Sequence, residues 1–147
     1  MKKKYFFLVS LITAILLNGC GYKPVYSSKN FSFKINTITN SGNKIDNQIT
    51  RSIKSLSNSN STNKLNLNLN SKKEKSIVSK NKTGDPEIFQ ITILVNVEVN
   101  NSQKNFTGKQ IYNNIENKFE LNEYEIQVES QIINKIIDEI IIYLSGV

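Results

Sequence analysis

Histidine is absent from the 147 residues, cysteine occurs once, at Cys20, and arginine once, at Arg51. Each scarcity closes a route. Without imidazole there is no histidine-based triad, no histidine metal cluster and no access to the commonest general base. One cysteine permits no intramolecular disulfide, so the fold must be held by packing. The carboxylates are scattered over outward helix faces rather than paired beside a predicted pocket, and no glycine-rich phosphate loop is present. The sequence therefore predicts no catalytic residue, no metal site and no bound cofactor, and reads as a non-enzyme. Long apolar runs are equally scarce. The single one, Tyr5 to Leu17, is thirteen residues, short of the roughly 20 that span a bilayer.

That run has a purpose set by its flanks. Lys2, Lys3 and Lys4 form a basic start, Tyr5 to Leu17 an apolar stretch, and Gly19 the small residue a peptidase needs beside its cut. Residues 1–19 are thus expected to be a lipoprotein signal peptide, leaving Cys20 at the head of a 128-residue chain, enough for one domain. The surroundings of Cys20 resemble the lipobox of bacterial lipoproteins. The resemblance implies a covalent diacylglyceryl group on the thiol and an N-acyl chain, such as palmitate, on the new amine. One acyl chain holds a protein to a membrane only marginally, but each buried methylene adds roughly 0.8 kcal/mol, so three chains anchor a small domain durably. An ordinary secretory signal with a chance cysteine is the plain alternative. Gly21 stands where an aspartate would signal inner-membrane retention in enteric bacteria, which points to the outer membrane.

Charge is less informative than its total suggests. The chain carries a formal +7, but three of those charges belong to Lys2, Lys3 and Lys4, and residues 20–147 carry +4. Eighteen of the nineteen basic residues are lysine, amid an excess of Asn and Ile, a pattern that AT-rich codon usage produces. A high pI of this origin gives no support to nucleic-acid binding. Distribution says more. Residues 20–82 hold +10 and residues 83–147 hold −6, so the folded domain is expected to be polarised.

Residues 20–30, with Gly21, Pro24, Ser27 and Ser28, show no period and read as a lipidated tether; the domain is expected over 31–147. Phe31, Phe33 and Ile35 alternate with polar residues as in a half-buried strand. Ile45, Ile49, Ile53 and Leu56 then share one face of a helix with Asn43 as its cap. A polar Ser/Asn linker precedes Leu65, Leu67 and Leu69, which open a strand reaching Ser79. Strand, helix, strand predicts a parallel pair joined by a crossover.

After a turn at Thr83-Gly84-Asp85-Pro86, Ile91, Ile93, Val95, Val97 and Val99 occupy one face of a third strand, with Leu94 alone among the polar residues of the other. A turn at Asn100 to Gln103 leads to a fourth strand over about 105–117, in which Gly108 suggests a bulge. Asn122 and Glu125 form a capping-box pattern ahead of a long helix whose stripe is Tyr124, Val128, Ile132, Ile133, Ile136, Ile137, Ile140 and Leu144, with Gly146 as an αL cap. Ile141, Ile142 and Tyr143 widen the stripe, so that end is either deeply buried or docks a partner.

The order β-α-β-β-β-α predicts an α+β two-layer sandwich, a four-stranded mixed sheet covered on one face by two helices. Side by side, those helices would set Lys44, Arg51 and Lys54 against Glu129, Asp138 and Glu139, exposed pairs of at most about 1 kcal/mol each.

The segment Gly19-Cys20-Gly21-Tyr22-Lys23-Pro24-Val25-Tyr26 resembles the Gly-Cys-Gly-aromatic-basic-Pro-aliphatic-Tyr start of the LPS-assembly lipoprotein family, LptE. The order of elements downstream is similar to that family's sheet under two helices, so the likeness covers essentially the whole mature chain. It implies an outer-membrane, periplasm-facing lipoprotein seated in the LptD β-barrel as plug and assembly partner, aiding lipopolysaccharide delivery to the outer leaflet. Lys72, Lys73 and Lys75, with Lys80 and Lys82, would meet the anionic groups of lipopolysaccharide as mobile charges. Equally, lysines there are a solvated strand edge that discourages aggregation. A pilotin or scaffold lipoprotein for another envelope complex is the alternative function.

Overall fold

The computed structural model describes residues 31–147. The expected signal peptide 1–19, the expected lipidation point Cys20 and the expected tether 20–30 lie outside the described residues. Six elements follow in chain order: β1 (Lys34–Asn40), α1 (Lys44–Leu56), β2 (Lys64–Lys80), β3 (Pro86–Val99), β4 (Ser102–Asn113) and α2 (Lys118–Ser145). The strands form one sheet in the order β1-β2-β3-β4, β1 parallel to β2 and the other pairs antiparallel. The expected α+β sandwich, four mixed strands with two helices, is the observed architecture.

The core follows from the two periodicities. Leu65, Leu67 and Leu69 of β2 and Ile91, Ile93, Val95, Val97 and Val99 of β3 point to one face, all at most 2% exposed. Ile45, Ile49 and Ile53 of α1 and Val128, Ile132, Ile133, Ile136, Ile140 and Leu144 of α2 close over them. Leu94, on the uncovered face, stays exposed. In α2 the final turn divides: Ile141 is buried, Tyr143 half-buried, and Ile142 exposed.

Several boundaries differ from the sequence expectation. Phe31 and Phe33 are buried as expected, but they precede β1; the strand itself runs on to Asn40, and a register shift between Ile35 and Thr37 leaves Ile35 only partly buried. β4 begins earlier and ends at Asn113 rather than 117, because Val99 pairs Ser102 and leaves a two-residue turn. Asn100 and Asn101 take φ of 45° and 73° there, the left-handed pair a tight hairpin requires and asparagine tolerates.

Gly108 is not a bulge: pairing continues through Ile93 and Gly108 without a shift. Its role is clearance. A Cβ at this position would fall on Ile132 Cγ2 and within 3.2 Å of Ile136 Cδ1, so the missing side chain lets α2 settle on β4.

The cap of the long helix lies five residues before the expected one. Asn117, not Asn122, accepts from the backbone N–H groups of Phe119 and Glu120, and its side-chain amide donates to Glu120 Oε1 at 3.1 Å. The chain holds Asn-x-x-Glu at 113–116, 117–120 and 122–125; Asn113 still pairs with Ile88 in β4, and of the other two the earlier wins because it adds a turn that packs Leu121 against the core. Gly146 at the other end has φ −104° and ψ −1°, right-handed rather than αL, and closes the helix with an N–H bond to Tyr143 O.

Candidate functional site

The lysine-rich half of β2 is built by strand alternation. Lys73 and Lys75 continue the row of Leu65, Leu67 and Leu69 toward the helices, whereas Lys72 and Glu74 stand in the opposite row. Where the leucines meet α1, the lysines meet the first half of α2. Lys73 Nζ donates to Glu129 Oε2 at 2.7 Å, and Lys75 Nζ donates to Glu125 Oε1. Glu125 and Glu129 are one helical turn apart, so both carboxylates fall on the edge of the helix that overlooks β2.

Each carboxylate gathers more than its lysine. Glu129, expected to be exposed, is buried at 7%, and its Oε1 lies 3.9 Å from Lys44 Nζ of α1. One side chain thereby ties β2, α1 and α2 together. Arg51, expected in the same interhelical row, donates instead to Asn47 O on its own helix.

Glu125 Oε1 also accepts from Tyr112 Oη at 2.9 Å. Burial first, then the bond to Glu125 and its negative charge, push the Tyr112 hydroxyl well above the ordinary tyrosine range. Lys75 Nζ sits 4.2 Å above the Phe89 ring, Phe89 stacks on Tyr112, and Tyr112 meets Tyr124 edge to face at 5.8 Å.

Lys72 is different. Its Nζ lies 2.7 Å from Glu74 Oε1, with both side chains well exposed on the uncovered face. Hydrogen bonding and charge attraction raise the Lys72 ammonium and lower the Glu74 carboxyl from their usual ranges. A shallow depression beside it is lined by Asn70, Lys72, Leu94, Asn96, Asn105 and Thr107.

The three predicted lysines are therefore neighbours in sequence but divided in space. Lys73 and Lys75 brace the helix layer and Lys72 faces solvent. Sequence reasoning missed Glu125 and Glu129 as their partners. The signal was there in principle: two glutamates four apart border the apolar stripe of α2, and two lysines two apart extend the leucine row of β2.

Among the described residues no group of three or more acidic, cysteine or histidine side chains could hold a metal ion, and no helix is long and apolar enough to cross a membrane. Cys20 lies outside them.

No family model matches the chain, and no curated protein matches it. Solved structures do. The crystal structure of rare lipoprotein B from Shewanella oneidensis shares 15% identity over 77% of this chain and 94% of its own, with a TM-score of 0.57. The solution structure of an uncharacterized lipoprotein B from Nitrosomonas europaea shares 16% over 76% and 83%, also at 0.57. A minor lipoprotein from Acinetobacter baumannii shares 10% over 79% and 94%, at 0.58. At such identities the likeness shows the fold, which this chain has in common with all three.

Proposed function

We propose that the chain is an outer-membrane, periplasm-facing lipoprotein of the LptE kind, held by acyl chains on Cys20 and working as plug and assembly partner of an LptD-like β-barrel in lipopolysaccharide delivery. It acts by binding, without catalysis, metal or cofactor. One combined observation carries the reading: the octapeptide Gly19 to Tyr26 heads a chain whose described residues share the fold of lipoproteins from several bacteria.

The chemistry of the domain supports it. A lipid anchor fixes the position, a packed sandwich of isoleucine and valine supplies a rigid body, and an uncovered polar sheet face is free for contact. Lipopolysaccharide would be met through Lys72, Lys73 and Lys75, of which Lys72 offers the most accessible charge.

Purification of the native protein from envelopes under mild detergent tests the partnership. A stable complex with a large outer-membrane barrel is expected; recovery only with secretion or pilus subunits would replace this reading with a pilotin. Lipopolysaccharide contact is tested at low salt with Lys72, Lys73 and Lys75 all changed to Gln in a Glu125→Gln, Glu129→Gln background, which leaves no buried carboxylate stranded; Glu74 loses Lys72 but is exposed. Unchanged binding would remove these lysines as a site.

A further inference from the structure

β2 is seventeen residues long, but β1 covers only its first six: the parallel pairing runs from Lys34 with Lys64 to Asn40 with Leu69 and stops. On its other side β2 stays paired to β3 as far as Lys80 with Pro86. Ser71 closes the covered stretch, its carbonyl and hydroxyl accepting from the Asn43 side-chain amide at the α1 cap. From Lys72 to Lys80 no strand among the described residues lies on the outer side of β2. Exposure shows the same break. Buried and exposed residues alternate from Lys64 to Asn70, then every residue from Lys72 to Val78 is exposed, Ile77 at 48% and Val78 at 51%. The outer edge of β4 differs, since burial still alternates at Phe106, Gly108 and Tyr112 beneath α2, and Lys104 folds over the Phe106 and Tyr143 rings.

We infer that the lane beside Lys72–Lys80, open among the described residues, receives an extended segment of a partner protein, about nine residues long, whose side chains are acidic or neutral. Unpaired backbone N–H and C=O groups on a sheet edge are recognised by another strand, which supplies the affinity through main-chain bonds. Two other occupants fit poorly. A second copy paired antiparallel through the same lane would set Lys72 against Lys80 of its partner, with only Glu74 to offset them. The upstream segment is too short. With Cys20 first, residues 21–30 reach about 36 Å when fully extended. They join at Phe31, and the rise from Lys64 to Lys72 alone consumes about 27 Å. An acidic strand, by contrast, meets the exposed ammonium groups of Lys72 and Lys80, while Lys73 and Lys75 stay with Glu129 and Glu125. The inference stands whether or not the partner is a barrel.

The test uses the full-length lipidated protein in neutral detergent and two synthetic nine-residue peptides, one alternating Thr and Glu, the other Thr and Lys. Hydrogen exchange is read amide by amide over 72–80. With the acidic peptide, alternate amides of this stretch, those directed away from β3, should slow at least about tenfold, and the basic peptide should leave them unchanged. Glu74→Lys should tighten the acidic peptide and Lys72→Glu weaken it, both at exposed positions that leave the fold intact. Equal slowing by both peptides would overturn the acidic complement. No slowing with either, or slowing that depends on protein concentration without peptide, would overturn the lane as a partner site.

Discussion

Lys73 and Glu129 form an unequal pair. The carboxylate is about one-tenth exposed and the ammonium nearly half, so losing either partner leaves a different residue behind. Lys73→Met strands a buried charge with only Lys44 at 3.9 Å to offset it, and should cost about 2 kcal/mol. Glu129→Gln frees two lysines that turn outward into water and should cost less than about 1 kcal/mol. Replacing both residues with Met should recover most of the Lys73→Met loss. Urea titration of the three variants gives the comparison, and equal losses for the two single changes would contradict the burial argument.

Tyr112 offers a second contrast, this time with pH. Its hydroxyl is held neutral above the ordinary tyrosine range by burial and by Glu125. A raised folded-state value means that the stabilisation is complete below the unfolded value of about 10 and is lost as pH climbs beyond it, because only the unfolded chain then ionises. Tyr112→Phe should lose about 1 kcal/mol near neutrality, from the bond to Glu125. Above pH 10 the variant should fall less steeply than the parent. Lysine deprotonation affects both proteins, so the difference between their stability curves isolates this hydroxyl.

At the scale of elements, α2 carries two tests of why it lies where it does. Two Asn-x-x-Glu patterns compete for its start and only Asn117 caps. Asn117→Ala should cost about 1 kcal/mol and Asn122→Ala almost nothing; thermal melts of the pair distinguish the two starts. Gly108→Ala puts a methyl group where Ile132 already stands, and should cost about 1–3 kcal/mol by pushing α2 off β4. Wild-type stability in that variant would mean that the helix can ride higher at no expense.

The same elements show what was legible beforehand. Leucines at every second residue in β2 and Ile45, Ile49, Ile53 and Leu56 at spacings of four, four and three in α1 set type and facing directly, because burial of one face leaves little choice. The duplicated cap at 117 and 122 could not be resolved locally, since the decision rests on Leu121 finding the core. Gly108 reads as a bulge from its own strand alone. Its clearance role appears only when Ile132 and Ile136, more than twenty residues further on, cross it. Glu129 looked like a surface charge because nothing near it in sequence announces Lys73, fifty-six residues earlier.

For the whole molecule, the core of the described residues begins at Phe31 and ends at Leu144. Those contacts lie downstream of the proposed attachment point, so folding and anchoring should be separable. A Cys20→Ser protein directed to the same compartment by an ordinary signal peptide should unfold at the same urea midpoint as the wild-type domain, within about 0.5 kcal/mol. Its location should nonetheless change completely, since the three acyl chains expected on Cys20 supply the hold that one chain alone cannot, and no helix among the described residues crosses a membrane. Fractionation of envelopes should recover the variant with soluble periplasmic proteins and the wild type with outer membrane. A variant that stayed firmly membrane-bound after a high-salt wash would show that protein contacts, with a barrel or through the open edge of β2, hold the domain without its lipid, and would make anchoring secondary to partnership.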